Sequence, residues 1–373
     1  MNVWNGKGLT IGEFTAKLPI IQGGMGVGIS LSGLASAVAN EGGIGVISVA
    51  GIGMEEKDFS RNFHEANIRA LRNEIRKARS LTKGILGVNI MVAMTNYVEM
   101  AKAAVEEGID IIFSGAGLPL SLPEFLNGSQ HTKLVPIVSS SRAVSILAKR
   151  WIDRYNYAPD AIVVEGPMAG GHLGFKYEHL TDPDYKLEKL VPEVVKEVRK
   201  VEEKAAKPVP VIAAGGIYSG EDIHKMMQLG ASGVQMATRF VTTMECDASN
   251  EFKNAYINCR KEDIEIIKSP VGMPGRAIVN KFINEVNSGN KKPYTCPYHC
   301  IVTCNYESSP YCIALALMNA KKGKMRNGFA FAGENAYRTN KIIPVKELMD
   351  SLVEEYNAAD AKSPRGGNIG DLD

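Results

Sequence analysis

The sequence predicts a (β/α)8 barrel with a lid or insertion after its eighth strand. Three observations predict it: short apolar runs alternate with helical patterns, the runs are continuous, and glycine clusters close several of them. Alternation of runs and helices indicates parallel βαβ units. A continuous apolar run suits a strand covered on both faces, as in a parallel sheet. Glycines at successive strand ends fall where barrel enzymes build their sites. A doubly wound open sheet is the competing architecture.

The eight strands are expected at Pro19–Gln22, Ile44–Val49, Leu86–Met91, Asp110–Ser114, Leu134–Val138, Ala161–Glu165, Val209–Ala213 and Gly233–Met236. Between them stand helical stretches such as LSGLASAVANE, YVEMAKAAVEEG, SRAVSILAKRWI and GEDIHKMMQLGA. After Phe240 the rhythm breaks. Residues 1–243 read as the barrel core. Residues 244–335, with the helix-like stretch SPVGMPGRAI, read as helix eight plus a lid over the barrel mouth. Residues 336–373 read as a C-terminal helix, VKELMDSLVEEY, and a polar, glycine-rich tail expected to be mobile.

Bulk composition excludes several classes. The 373 residues are 45% hydrophobic and 23% charged, with a net charge of +2. That charge balance lacks the basic footprint of a nucleic-acid binder. No apolar run approaches the length of a membrane span, and the first residues lack the pattern of a secretory signal. Six cysteines in so long a chain do not suggest a secreted disulfide framework. A reduced cytoplasmic setting follows as the expectation.

A phosphate cup is expected from two elements in the right order. Ala213-Ala214-Gly215-Gly216-Ile217 closes strand seven, and Gln235-Met236-Ala237-Thr238-Arg239-Phe240 closes strand eight. Loops after these strands often hold a phosphate on backbone N–H groups and a helix N-terminus. FMN, a sugar phosphate or another phosphoester would each satisfy it. Arg239 supplies charge to the cup or pairs within the barrel. No cluster at these strand ends reads G-x-G-x-x-G, so the Rossmann fingerprint is unsupported.

The segment PIIQGGMGVGISLSGLASAVANEGGIGVI resembles the N-terminal motif of the nitronate monooxygenases, formerly called 2-nitropropane dioxygenases. The flavin-dependent enoyl-ACP reductases are similar to that family. GVNIM, AIVVEGPMAGGHLG, VPVIAAGGI and GVQMATRF resemble the family's remaining motifs, in the family's order. The resemblance implies FMN across the mouth of a TIM barrel. Gly23, Gly24 and Met25 would pass beside the flavin, and Asn89 would bond its pyrimidine edge. Glu165 and Gly170 would line the ring side. Gly215, Gly216, Gln235, Ala237 and Thr238 would hold the ribityl phosphate. Many relatives carry an acidic residue where this chain has Met168, so any role of that carboxylate is absent.

His172 matches the family's active-site histidine. It also stands out without the resemblance, because two glycines precede it on a loop at a strand's C-terminal end. An imidazole titrating at about 6.5 exchanges protons at neutral pH. It could hold an anionic nitronate, deprotonate a nitroalkane or protonate an enoyl substrate. His64, His131, His179 and His224 read as ordinary surface or packing histidines.

Cys296, Cys300, Cys304 and Cys312 lie together in CPYHCIVTCNYESSPYC. Thiolates are soft ligands, which suits an iron–sulfur cluster or zinc. The first three, four residues apart, would share one helical face, although Pro297 interrupts it. The spacing matches neither zinc C-x₂-C pairs nor ferredoxin runs. Buried or half-exposed free thiols are the competing reading.

The function expected is oxidation of alkyl nitronates by an FMN oxidoreductase, giving a carbonyl compound and nitrite with oxygen. The alternative is an NAD(P)H-dependent ene-reductase, with acyl carrier protein as its partner. A non-redox phosphate-ligand barrel is the third class. A small-molecule substrate, no nucleic acid, no membrane and a homodimer complete the expectation.

Overall fold

A computed structural model describes residues 3–290, Cys296 and residues 298–363. A short hairpin, β1 (Leu9–Ile11) and β2 (Phe14–Ala16), precedes the first barrel strand. The first half of the barrel runs β3 (Ile20–Gln22), α1 (Ser32–Asn40), β4 (Gly45–Ser48), α2 (Phe63–Leu81), β5 (Leu86–Met91), α3 (Tyr97–Glu106) and β6 (Ile111–Gly115). No α-helix follows β6. A short 3-10 turn, Leu122–Leu126, leads instead to β7 (Lys133–Val138). The chain continues with α4 (Ser141–Tyr155), β8 (Ile162–Glu165), a two-residue strand β9 (Gly171–His172), α5 (Leu187–Ala205), β10 (Val211–Ala214), α6 (Gly220–Gln228) and β11 (Gly233–Met236).

The eight central strands pair in parallel in the order β3-β11-β10-β8-β7-β6-β5-β4. A parallel bridge between Ile21 and Ile44 joins the two ends of that row. The Gln22 N–H donates to the Ile44 carbonyl at 2.9 Å across the seam. The sheet is therefore closed, and the open-sheet architecture is set aside. Ile21, Ile44, Phe113, Val163 and Ile212 fill the interior. A second layer packs helices on the outside, with Trp151 wholly buried and its indole N–H donating to the Pro119 carbonyl.

Beyond the barrel lie α7 (Thr238–Val241), α8 (Asn250–Asn258), β12 (Ile264–Lys268), β13 (Pro274–Ile278), α9 (Lys281–Asn287), α10 (Ile313–Lys321), β14 (Ala330–Phe331) and α11 (Val345–Lys362). Three expectations are corrected here. SPVGMPGRAI is not helical: it forms the turn and second strand of an antiparallel hairpin, β12–β13. Helix eight is not within residues 244–335. α11 packs against α6 and α1 and so occupies that place in the ring. Its Leu348, Met349, Leu352 and Val353 are buried there. Residues 298–305 form turns and an isolated bridge rather than a helix, so no helical face gathers Cys300 and Cys304. Most of the C-terminal tail, from residue 364 on, lies outside the described residues.

Candidate active site

The C-terminal ends of the barrel strands open into a cavity of about 310 Å³. Gly23, Gly24, Met25, Asn89, Glu165, Gly170, Gly215, Gly216, Gln235, Ala237 and Thr238 all line it, together with His172. They come from five βα turns or strand ends far apart in sequence, gathered because parallel strands all end on one rim. The Met25 N–H donates to Ser30 Oγ at 2.9 Å, which fixes the first glycine loop. Gly216 has φ +86°, a backbone shape costly for other residues, and a Cβ there would stand 2.8 Å from Met168 Cβ.

Asn89, Glu165, Gln235 and Thr238 turn polar side chains to this cavity without a side-chain partner among the described residues. Polar groups gathered in a concave, mostly apolar space need a ligand or water to satisfy them. A flavin fits: the ring wants polar edges and apolar faces, and its phosphate wants glycine backbone. Burial pushes the Glu165 carboxyl up to about 7. Arg239 is not part of the cup. Its guanidinium bonds the Tyr218 carbonyl at 3.1 Å and lies over the Tyr218 ring, so the structural pairing holds.

His172 sits on β9, which pairs antiparallel with β13 of the inserted sheet: Gly275 faces His172 and Arg276 faces Gly171. Its Nε2 lies 2.7 Å from Ser269 Oγ, and its ring meets the Phe331 ring edge-on at 4.9 Å. Burial pulls its pKa down to about 4, so the imidazole is neutral at physiological pH. The Val271 N–H reaches Ser269 Oγ at 3.4 Å. The serine hydroxyl, with one O–H and two lone pairs, either donates to His172 Nε2 or accepts from it, according to the imidazole tautomer. In the tautomer with Ser269 donating, the imidazole proton sits on Nδ1.

Sequence reasoning missed the parts that hold this loop. Arg276 is buried and donates to the carbonyls of Pro167 and Ala169, the latter at 2.8 Å. It also pairs with Glu334 at 3.2 Å. Asn335 Nδ2 donates to the Gly216 carbonyl at 2.6 Å, and the Glu334 N–H donates to the Met168 carbonyl. The stretch NGFAFAGENAYR, which offered no chemistry as sequence, thus clamps two rim loops at once.

Of the four clustered cysteines, Cys300 lines the cavity. All six cysteines are free. Among the described residues, no group of three histidine, cysteine, aspartate or glutamate side chains could hold a metal ion. Among the described residues, no helix is long and apolar enough to cross a membrane.

A closed α/β barrel with glycine-walled turns, unpartnered polar groups at its mouth and a neutral histidine beside them defines a flavin-dependent oxidoreductase. The nitronate monooxygenase family model matches residues 8–355. This chain belongs to that family. It is 29% identical over 319 residues to a probable nitronate monooxygenase of Staphylococcus aureus, covering 76% of this chain and 81% of that protein. A probable nitronate monooxygenase of Staphylococcus saprophyticus is 25% identical over 302 residues, covering 74% and 79%. Among solved structures, FabK from Thermotoga maritima superposes with a TM-score of 0.72 and 26% identity, covering 93% and 95%. Nitroalkane oxidase from Streptomyces ansochromogenes, at 21% identity and a TM-score of 0.69 over 93% and 97%, shares the fold.

Proposed function

We propose that this protein oxidises alkyl nitronates with oxygen, using FMN bound across the barrel mouth. The observation that carries the reading is the buried, neutral His172, whose Nε2 is engaged by Ser269 at 2.7 Å; with the serine donating, Nδ1–H is left for an anion. Gly23, Gly24, Met25, Asn89, Glu165 and Gly170 would border the ring. Gly215, Gly216, Gln235, Ala237 and Thr238 would hold the phosphate. FMN, when bound, supplies the electron acceptor for the nitronate and the route by which oxygen reacts, giving a carbonyl compound and nitrite.

The chain's own residues then do three things. His172 Nδ1–H holds a nitronate oxygen. Met25, Met168 and Phe331 give the cavity an apolar wall. The protonated Glu165 keeps a negative charge away from an anionic substrate below about pH 7. The named staphylococcal relatives support the nitronate over other anions.

The test is anaerobic reduction of the bound flavin by NADH, NADPH and a pre-formed nitronate, side by side. Bleaching by the nitronate, with slow or no bleaching by either nicotinamide, is the expected result. Fast bleaching by a nicotinamide, followed by reoxidation with an enoyl thioester and no response to nitronate, would replace this reading with the ene-reductase one.

A further inference from the structure

We propose that the lid side of the cavity is a second subsite: it takes an uncharged, apolar substrate tail and reads an amide on that tail through Asn96.

Two stretches of chain build an aromatic wall there. One runs from β4 into the start of α2 and brings Phe59 and Phe63. The other, residues 298–303, brings Tyr298. All three rings line the cavity. Phe59 and Tyr298 have ring centroids 4.8 Å apart, Phe59 and Phe63 5.3 Å, and Phe63 and Tyr298 5.9 Å. Phe59 is buried, while Phe63 and Tyr298 are half-buried. Rings packed together at a cavity wall offer a large apolar surface with a preference for flat or apolar partners. The first stretch is also tied to the lid helix α10: Lys321 pairs with Glu55, and Lys322 reaches the same carboxylate at 3.5 Å.

Asn96 borders the same cavity. The loop that carries it is fixed to the lid segment. Met94 and Ile301 form an antiparallel bridge. The Val302 N–H donates to the Ala93 carbonyl at 2.9 Å, and the Thr95 N–H donates to the Cys300 carbonyl at 3.2 Å. Asn96 is wholly buried, and neither its Nδ2 nor its Oδ1 has a hydrogen-bond partner. It precedes α3, yet its side chain does not cap that helix. Of the buried side chains with unpartnered polar atoms, among the described residues, Asn96 alone borders the cavity. Asn67, another amide of this lining, is spent within the fold: its Oδ1 accepts from the Gly53 N–H at 3.0 Å, and its Nδ2 donates to the Phe63 carbonyl at 2.7 Å. A buried donor and acceptor left unmade are costly and call for a ligand or water.

The chemistry of the tail follows from this wall. Among the described residues, no lysine or arginine lines the cavity. A carboxylate or phosphate tail would be buried there without a counter-charge. A carboxamide answers Asn96 at both atoms. A ketone answers Nδ2 alone, and a carboxylate sets a negative oxygen against Oδ1. The identity of the reacting head rests on the nitronate reading, whereas the tail is read from Phe59, Phe63, Tyr298 and Asn96.

The experiment titrates the FMN-loaded full chain by calorimetry with three unreactive probes of one shape: hydrocinnamamide, its methyl ketone benzylacetone, and hydrocinnamate. The amide should bind best, with the ketone about two- to tenfold weaker and the carboxylate weaker still. Asn96→Ala breaks no hydrogen bond of the side chain, so it should keep its flavin and bind amide and ketone equally. Phe63→Ala should weaken amide and ketone alike, by about two- to tenfold. Wild-type protein that binds amide and ketone equally, or prefers the carboxylate, overturns the proposal whether or not the variants fold. Asn96→Ala that folds but sheds its flavin overturns it too, because Asn96 then serves the cofactor. Amide preference in a protein whose flavin no nitronate bleaches would uphold the subsite and replace the reading of the reacting head.

Discussion

His172 Nε2 and Ser269 Oγ lie 2.7 Å apart, although 97 residues separate them in the chain. The serine comes from the inserted hairpin and the histidine from the barrel, so the insertion engages one of the two ring nitrogens. Ser269→Ala removes one hydrogen bond, worth about 0.5–1.5 kcal/mol, or roughly two- to tenfold in rate. The loss should fall on kcat/KM for nitronates, with flavin content unchanged. Ser269→Thr should restore the rate; if alanine and threonine are equally impaired, the hydroxyl does not position the histidine.

His172 itself separates donor from base. A positioned general base contributes about 10²–10⁴-fold. If Ser269 donates to Nε2, the imidazole acts as a donor through Nδ1–H, so His172→Asn, which still donates, should cost little with pre-formed nitronates. Neutral nitroalkanes should be much poorer wild-type substrates at neutral pH. Because burial lowers the pKa to about 4, His172 stays neutral as pH falls from 8 to 5, and it adds no inflection there. An inflection between pH 6 and 7 that His172→Asn abolishes would show a titrating base instead.

Glu165 has the opposite shift. Its folded pKa, raised to about 7, exceeds the ordinary 4.5. Between those values the folded protein binds the extra proton, so its stability falls as pH rises from 4.5 through 7. Glu165→Gln removes that dependence. In flavin-free protein, the urea midpoint of the variant should exceed wild type at pH 8 and match it near pH 4.5. Equal midpoints at both pH values would place the carboxyl in a solvated setting.

Gly216→Val tests the phosphate cup. The positive φ alone costs about 1–3 kcal/mol for a side chain, and the new Cβ meets Met168 at 2.8 Å. Heat-released flavin should drop to near zero while far-ultraviolet circular dichroism keeps its barrel signature. A variant that retains stoichiometric FMN would move the cup elsewhere.

Arg276 holds two carbonyls of the loop that carries His172. Hydrogen bonds to a charged group contribute about 1.5–3 kcal/mol each. Arg276→Met should lower thermal stability by several degrees and weaken flavin binding, both read by melting with and without added FMN. An unchanged melting temperature would mean the loop holds itself.

Barrel and rim were legible because their signal is local. Leu86–Met91 is continuous and apolar in sequence and forms β5 over those same residues, and Gly23-Gly24 and Gly215-Gly216 each follow a barrel strand directly. The hairpin was misread because SPVGMPGRAI, with two prolines and two glycines, lacks the alternating apolar pattern of a strand, and its pairing with Ile264–Lys268 is visible only in the fold. The cysteines at four-residue spacing imitated a helix, but bonds from residues 93–95 to Cys300 and Val302 draw that stretch out along the barrel. Ser269, Arg276 and Asn335 act across roughly a hundred residues or more, a distance at which periodicity carries no information.

α11 is the outer stave that shuts the ring between α6 and α1. During synthesis, the first barrel strand therefore waits for the eleventh helix before its neighbourhood is sealed. A nascent chain halted before Val345 would leave the apolar sides of α1 and α6 bare, and such surfaces draw chaperones or aggregate. The same geometry makes Leu352 a weak point of the finished enzyme. Its loss would open the outer wall behind the glycine turns, with solvent reaching the seam between β3 and β11 from outside rather than through the mouth.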